Sequence, residues 1–193
     1  MSLWFLPQPF ERWQYNPAYR DLEQSVTGEI EKVLGELLRA RGLKLATAES
    51  CTGGLIGDRI TDIAGSSDYY LGGVVAYAYE AKAALLGVGW DLLNSRGAVS
   101  REVALAMADG VRRVLGADVA VSVTGIAGPG GGTPEKPVGT TWIALSAKDG
   151  AWARLFCWRG DREENKRFSA DAALQMAVDY LNGLRALDSI KEG

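Results

Sequence analysis

Hydrophobic residues in the first part of the chain change from a helical to a strand period. From Asp21 to Ala40 they recur every three or four positions, as on one helix face: Val26, Ile30, Val33, Leu34, Leu37 and Leu38. Gly42 is expected to end this helix. Leu43 to Thr47 is predicted as a short strand. Thr52-Gly53-Gly54 is expected to open a second helix, with the buried residues Leu55, Ile56, Ile60 and Ile63.

Strands and helices continue to alternate through the middle of the chain. Leu71 to Tyr77 is the next predicted strand, and Glu80 to Leu86 the next helix, before a loop at Gly87 to Gly89. Ser100 is expected to cap a helix. The apolar positions of that helix are Val103, Met107, Val111 and Val114. Ala117 to Thr124 is apolar enough for a central strand.

The last part of the chain predicts a hairpin and a long helix. Thr140 to Ala147 and Ala151 to Trp158 are strands separated by an Asp-Gly turn. Asp161 and Glu164 resemble a capping box. The helix they start carries Phe168, Met176, Ala177, Tyr180, Leu181 and Leu184. Together these elements predict a three-layer α/β/α sandwich around a mixed sheet of about five strands.

Length and composition favour one folded unit preceded by an arm. The chain has 193 residues, of which 47% are apolar, which is enough for a single buried domain over residues 20–193. Residues 1–19 hold three of the six prolines and two of the six tryptophans, without a clear period. We interpret them as an aromatic N-terminal arm that either packs irregularly on the domain or forms an oligomer contact.

Charge and hydropathy exclude several classes of partner. The formal net charge is −3 with no basic stripe, so nucleic acid is not an expected partner. No stretch approaches the roughly 20 apolar residues that span a bilayer, and no secretion signal is visible. We therefore expect a cytoplasmic protein that does not bind a membrane. We also expect it to assemble as a homo-oligomer.

The absence of histidine narrows the chemistry further. A chain with no histidine and two cysteines cannot build a Ser-His-Asp triad, a Cys-His dyad or a histidine zinc site. Any proton transfer must use Lys, Tyr, Asp, Glu or Cys. We expect no cofactor and no metal, and we expect Cys51 and Cys157 to be free thiols.

The segment from Ala48 to Gly54 is the first candidate site, because it lies where a strand ends and a helix begins. Backbone N–H groups at that helix start could hold an anion or an oxyanion, and Ser50 or Cys51 could attack a substrate. The alternative is that Ser50 or Thr52 only caps the helix.

Three further segments carry candidate residues. The run from Thr124 through Gly125 and Gly128 to Gly139 is a long glycine-rich loop, which either surrounds an anion or is a flexible tip. Tyr77 or Lys82 could be a base, although lysine needs its pKa lowered from about 10.4. Arg162 could clamp a phosphate or form ordinary surface pairs.

Six ordered segments together resemble one family. They are Ala48 to Gly54, Tyr77 to Lys82, Gly97 to Ser100, Thr124 to Pro129, Lys136 to Thr140 and Gly160 to Arg162. In order and spacing the chain is similar to the CinA C-terminal domain, the nicotinamide-mononucleotide amidohydrolase family, over roughly residues 25 to 185.

The resemblance implies hydrolysis of the carboxamide of nicotinamide mononucleotide, giving nicotinate mononucleotide and ammonia, in pyridine nucleotide salvage. The family's serine falls on Ser50, its tyrosine and lysine on Tyr77 and Lys82, and its Ser/Thr-Gly pair on Thr124 and Gly125. The nucleotide is then the expected small-molecule partner. The other substrate-binding positions implied are Cys51, Thr52, Gly53, Gly54, Gly128 and Arg162.

The chain departs from the family pattern at Tyr79, where a small polar residue is usual, and a tyrosine there is expected to narrow or reshape the pocket. Two other interpretations stay open. One is a nucleotide-binding regulatory module without turnover, and the other a thiol amidohydrolase with Cys51 as nucleophile, which would lack a histidine activator.

We predict that activity does not depend on a bound metal, because backbone amides and cations supply the charge stabilisation. Dialysis against a chelator should leave ammonia release unchanged. Activity that is lost on dialysis and returns with zinc or manganese, without refolding, would contradict this.

Overall fold

The computed structural model describes residues 29–184, and its centre is a mixed sheet of five strands. The strands are β1 (Leu45–Glu49), β2 (Tyr70–Val75), β3 (Val119–Gly125), β4 (Thr140–Ala147) and β5 (Gly150–Cys157). Their order across the sheet is β2-β1-β3-β4-β5. Strand β1 runs parallel to β2 and β3, whereas β3–β4 and β4–β5 are antiparallel.

Six α-helices within residues 29–184 cover the two faces of this sheet. They are α1 (Glu29–Arg41), α2 (Leu55–Thr61), α3 (Tyr79–Leu86), α4 (Trp90–Arg96), α5 (Arg101–Leu115) and α6 (Arg162–Leu181). Helices α1, α2 and α6 pack on one face, and α3, α4 and α5 on the other. The predicted three-layer α/β/α sandwich is therefore confirmed. The predicted arm, residues 1–19, lies outside the described residues.

Local sequence signals account for several helix ends. The Ser100 hydroxyl accepts a hydrogen bond from the N–H of Val103, as an N-cap does. Asp161 and Glu164 form a complete capping box at the start of α6. Gly42 follows α1 with a positive φ of 63°, and its N–H donates to the carbonyl of Arg39.

Other expectations about the elements were wrong. Strand β1 begins and ends two residues later than predicted, and α2 begins at Leu55 rather than at Thr52. Helix α4 was missed because it is short and Leu93 is its one buried residue, so it has no helical period to detect. Val114 and Leu184, expected on buried faces, are 56% and 63% exposed.

A buried ion cluster joins the three helices on one face. The Arg59 guanidinium of α2 donates to Glu31 of α1 and to Asp171 of α6, both at 2.6 Å. All three residues are buried, and burial raises the pKa of Asp171 although Arg59 opposes the shift. Removing the cation would take the guanidinium away from two buried carboxylates that it neutralises.

We predict that Arg59→Met lowers the free energy of unfolding by about 3–5 kcal/mol. For a domain of this size, the thermal midpoint should fall by roughly 6–20 °C. Arg113→Met is the matched control, because the Arg113–Asp109 pair is exposed and should contribute about 0–1 kcal/mol. Equal melting of the two variants would contradict a structural role for the cluster.

Candidate functional site

The candidate site lies at the sheet edge where two neighbouring strands lead to helices on opposite faces. Strand β1 continues into α2 on one face, and its neighbour β2 continues into α3 on the opposite face. Strands β1, β2 and β3 are parallel neighbours, so their carboxyl ends meet at one edge. Ligands in open α/β sheets bind at such a point.

Ser50 begins a tight turn immediately after β1. Its N–H donates to the carbonyl of Val123 at 3.0 Å, which anchors it to the end of β3. Its own carbonyl accepts from the N–H of Gly53 at 3.2 Å. Gly53 and Gly54 have φ values of 68° and 104°, which only glycine adopts without strain. The turn therefore needs this glycine pair to redirect the chain into α2.

The start of α2 is occupied by a side chain of the protein itself. The carboxylate of Glu49 accepts hydrogen bonds from the N–H groups of Gly54, Ile56 and Gly57, at 2.9, 3.1 and 2.9 Å. The expectation that the amides of this helix start hold a substrate anion is wrong for these three. The N–H groups of Cys51 and Thr52, in the preceding turn, donate no backbone hydrogen bond within residues 29–184.

Lys82 reaches Ser50 from the other face of the sheet. Its Nζ lies 3.0 Å from Ser50 Oγ, 2.7 Å from the carbonyl oxygen of Ala76 and 3.0 Å from that of Tyr77. A neutral lysine amine has two N–H donors and one lone pair. If the two carbonyls take both donors, the lone pair faces the Ser50 hydroxyl.

The surroundings of Lys82 make that neutral amine accessible. The side chain is fully buried, and desolvation lowers its pKa from the ordinary lysine value to about 8, with Cys51 opposing the shift. No carboxylate pairs with the ammonium in the described part of the chain. A free base near neutral pH is therefore available beside a buried serine.

Cys51 is a poor candidate for the attacking group. Burial raises the pKa of its thiol to about 12, and this outweighs the lowering effect of the backbone amides of Cys51 and Thr52. The thiolate, which is the nucleophilic form, is then a minute fraction near neutral pH. The raised pKa of the thiol weighs against the thiol interpretation.

Tyr77 and Thr124 occupy different positions from Lys82. The Tyr77 side chain is 63% exposed and lines a cavity, and its backbone carbonyl rather than its ring contacts Lys82. The Thr124 hydroxyl is buried and donates to the carbonyl of Ala98 at 2.9 Å, which leaves its oxygen free only to accept. Neither hydroxyl has a hydrogen bond to Ser50 within residues 29–184.

An open cavity of about 210 Å³ adjoins these groups. It is lined by Cys51, Tyr77, Gly125, Ile126, Ala127, Gly128, Gly130, Gly131 and Arg162. Ser50 is 7% exposed and is not itself a lining residue, but it directly precedes Cys51, which is one. The predicted binding residues Thr52, Gly53 and Gly54 are in the adjacent turn and do not line it.

The glycine-rich loop is held in place by α6. Arg162 donates to the carbonyl of Gly128 at 2.7 Å, and the buried Asn165 donates to that of Ala127 at 3.0 Å. Sequence reasoning missed Asn165, whose only signal was a polar residue one turn into an otherwise apolar helix face. One bond of the Arg162 guanidinium is therefore structural, while its side chain still faces the cavity.

The segment from Gly97 to Ser100 is held from three directions. Tyr79 accepts from the N–H of Ala98 at 3.1 Å, and Thr124 donates to the Ala98 carbonyl. Lys136 donates to the carbonyls of Arg96 and Val99. Tyr79 does not line the cavity, so it does not narrow the cavity directly, and the structure shows it instead as a support of the Gly97 to Ser100 segment.

Comparison with known proteins places this arrangement in a family. A model of the CinA C-terminal domain matches residues 27–181. The chain belongs to the CinA C-terminal domain family. A CinA-like protein of Salinibacter ruber is 54% identical over 153 residues, which is 78% of this chain and 37% of the relative. A putative competence-damage inducible protein of Moorella thermoacetica is 51% identical over 147 residues, 76% of this chain and 36% of the relative.

Solved CinA structures share the fold. The competence/damage inducible protein CihA of Agrobacterium tumefaciens has a TM-score of 0.76 and 43% identity, covering 82% of this chain and 99% of that one. A CinA superfamily protein of Escherichia coli has a TM-score of 0.75 and 32% identity, covering 86% and 99%. This chain spans a little over a third of the length of the curated CinA relatives it matches.

The residues described also bear on metals and membranes. Across residues 29–184, no group of three or more Cys, Asp and Glu side chains is arranged to hold a metal ion. No helix in that range combines the length and the apolar character needed to cross a bilayer.

We predict that Cys51 of this CinA domain resists alkylation in the native state, because so little of it is thiolate. A Cys157→Ala variant isolates it, and intact-mass analysis after iodoacetamide treatment near neutral pH measures labelling. The native protein should stay unmodified, and the same protein in guanidinium should label fully. Rapid labelling of native Cys51 would contradict the pKa shift.

Proposed function

We propose that this protein is a nicotinamide-nucleotide amidase of pyridine nucleotide salvage. It hydrolyses nicotinamide mononucleotide to nicotinate mononucleotide and ammonia. The observation that carries the proposal is the buried Lys82 Nζ at 3.0 Å from Ser50 Oγ, without a carboxylate partner. A serine with an adjacent uncharged amine can act as a nucleophile where the chain has no histidine to activate it.

In the first half-reaction, Ser50 Oγ attacks the carboxamide carbon while Lys82 Nζ takes the hydroxyl proton. The C–N bond then breaks, and Lys82 returns that proton to the departing nitrogen, which leaves as ammonia. An ester between Ser50 and the nicotinoyl group remains. Lys82 is preferred over Tyr77 as the base because its Nζ lies within hydrogen-bond distance of Ser50 Oγ, whereas the Tyr77 hydroxyl forms no hydrogen bond to Ser50 in the described residues.

In the second half-reaction, water attacks the ester and gives a proton to Lys82. The ester C–O bond breaks and Lys82 returns the proton to Ser50 Oγ. The carboxylic acid formed gives its own proton to solvent water and leaves as a carboxylate. Lys82 acts as base and then as acid in each half. Its pKa of about 8 suits both roles near neutral pH.

The oxyanion of each tetrahedral intermediate needs donors that the fold has not already used. The N–H groups of Cys51 and Thr52 donate to no backbone carbonyl in the described residues, whereas those of Gly54, Ile56 and Gly57 are bonded to Glu49. Preorganised amides of this kind stabilise developing negative charge without reorganising.

The 5′-phosphate is assigned to the Arg162 side of the cavity. The Glu49 carboxylate at the start of α2 would repel a second anion there. Arg162 lines the cavity and has donors beyond the one bonded to Gly128. Thr124 is assigned a positioning role, because its proton is committed to Ala98.

We predict that Ser50→Ala abolishes ammonia release from nicotinamide mononucleotide, while Cys51→Ala keeps substantial turnover. Loss of a covalent nucleophile costs several orders of magnitude in rate, whereas Cys51→Ala retains every backbone amide. Ammonia release and thermal melting are measured on both variants. A folded Ser50→Ala protein with near wild-type turnover would refute the serine mechanism.

Wild-type protein that binds the nucleotide without releasing ammonia would instead favour a regulatory binding module.

We predict that nicotinamide riboside is a much poorer substrate than the mononucleotide, because it lacks the phosphate that Arg162 binds. Arg162→Met should lower kcat/KM for the nucleotide more than for the nucleoside, because loss of the Gly128 contact affects both substrates and loss of the phosphate contact only one. Equal kcat/KM for the two substrates in the wild-type protein would contradict the proposal that Arg162 binds the phosphate.

A further inference from the structure

Glu49 is a buried carboxylate whose charge is offset by the backbone. It is 2% exposed and, within residues 29–184, takes part in no salt bridge. Its two oxygens accept three hydrogen bonds from the N–H groups of Gly54, Ile56 and Gly57. The positive end of the α2 dipole adds to the stabilisation of this anion.

Ordinary helix capping does not explain this arrangement. A usual cap is a short polar side chain at the N-cap position itself. Here the N-cap is Gly54, which has no side chain, and the carboxylate comes from five residues upstream. These hydrogen bonds therefore join the residue before the Ser50 turn to the residues after it, and close the turn that carries Ser50.

The backbone around Glu49 is fixed on both sides. Its carbonyl accepts from the N–H of Ala76 at 2.8 Å, and the next N–H, that of Ser50, donates to Val123 at 3.0 Å. The strand end is thus held by both neighbouring strands. The side chain then fixes the far end of the turn, so residues 50–54 are clamped at both ends.

We propose that Glu49 is a positioning residue for the reaction, an inference that rests on the proposed function. By binding the amides of residues 54, 56 and 57, its carboxylate sets the conformation of the Ser50 turn. That conformation keeps Ser50 Oγ against Lys82 and fixes the N–H groups of Cys51 and Thr52, which donate to no backbone carbonyl in the described residues.

Glu49→Gln tests this with little change in volume. The carboxamide keeps one acceptor oxygen but turns an NH₂ group toward backbone N–H donors, so the turn must shift. A misplacement of about 1 Å can cost about 100-fold in rate. We expect kcat for nicotinamide mononucleotide to fall about 10- to 100-fold, with KM within about twofold of wild type.

Glu31→Gln is the matched control. It makes the same chemical change in a buried carboxylate that also binds α2, but through the Arg59 side chain rather than the amides beside Ser50. We expect it to lower the thermal midpoint while kcat stays near wild type. If both variants lose activity in proportion to their loss of stability, Glu49 is only structural and the inference fails.

A second measurement separates this inference from the substrate assignment. A fluorophosphonate probe reacts with an activated serine by forming an O–P bond with loss of fluoride, and the hydroxyl proton passes to the base. We expect wild-type Ser50 to be labelled and Glu49→Gln to be labelled about 10- to 100-fold more slowly. Glu49→Asp keeps the charge but shortens the side chain by one methylene, which moves the carboxylate away from the amides. It replaces Glu49→Gln if that variant does not fold, and the same slowing of labelling is expected.

The outcomes are distinguishable. Wild-type protein that is labelled but releases no ammonia refutes the substrate assignment, while the labelling rates still test Glu49. A folded Glu49 variant labelled at the wild-type rate overturns the positioning role. Wild-type protein that is not labelled at Ser50 overturns the serine mechanism and this inference together.

Discussion

The candidate site depends on one interaction, the contact between the Lys82 amine and the Ser50 hydroxyl inside the protein. An ammonium group is costly to bury without a carboxylate, and none pairs with it in the described residues. The cost lowers the pKa of Lys82 and makes its neutral form accessible. The same burial that raises the pKa of the neighbouring Cys51 thiol keeps that thiol protonated.

The fold creates this contact by placing consecutive segments on opposite faces of the sheet. Strand β1 ends in Ser50 and turns to α2, while β2 ends near Ala76 and turns to α3, which carries Lys82. The carbonyls of Ala76 and Tyr77, left over at the end of β2, orient the amine. Catalytic groups at such a strand edge are supported by a rigid sheet rather than by the loops alone.

Much of the fold could be predicted from the sequence, because its signals are local. The Asp161–Glu164 capping box, the Ser100 cap and the hairpin between β4 and β5 each depend on residues a few positions apart. Helix α4 could not be predicted, since a short helix with one buried residue has no period. Val114 is 56% exposed, and spacing along the chain cannot show which positions of a helix the rest of the fold leaves uncovered.

The candidate site divides in the same way. Family resemblance singled out Ser50, Tyr77, Lys82 and Thr124, but spacing along the chain could not choose between Tyr77 and Lys82. That choice depends on a distance across the sheet edge. The contacts of Glu49 were missed for a related reason. The helix-start amides were expected to be free, and only the folded structure shows that an upstream carboxylate accepts their hydrogen bonds.

The most direct test is the titration of Lys82 itself. NMR of protein carrying ¹³C-labelled lysine follows the Cε resonance with pH, and a Lys82→Met variant identifies the signal. We predict a midpoint near 8, well below the other lysines. A midpoint at the ordinary lysine value of about 10.4 would contradict the claim that Lys82 is the base for Ser50.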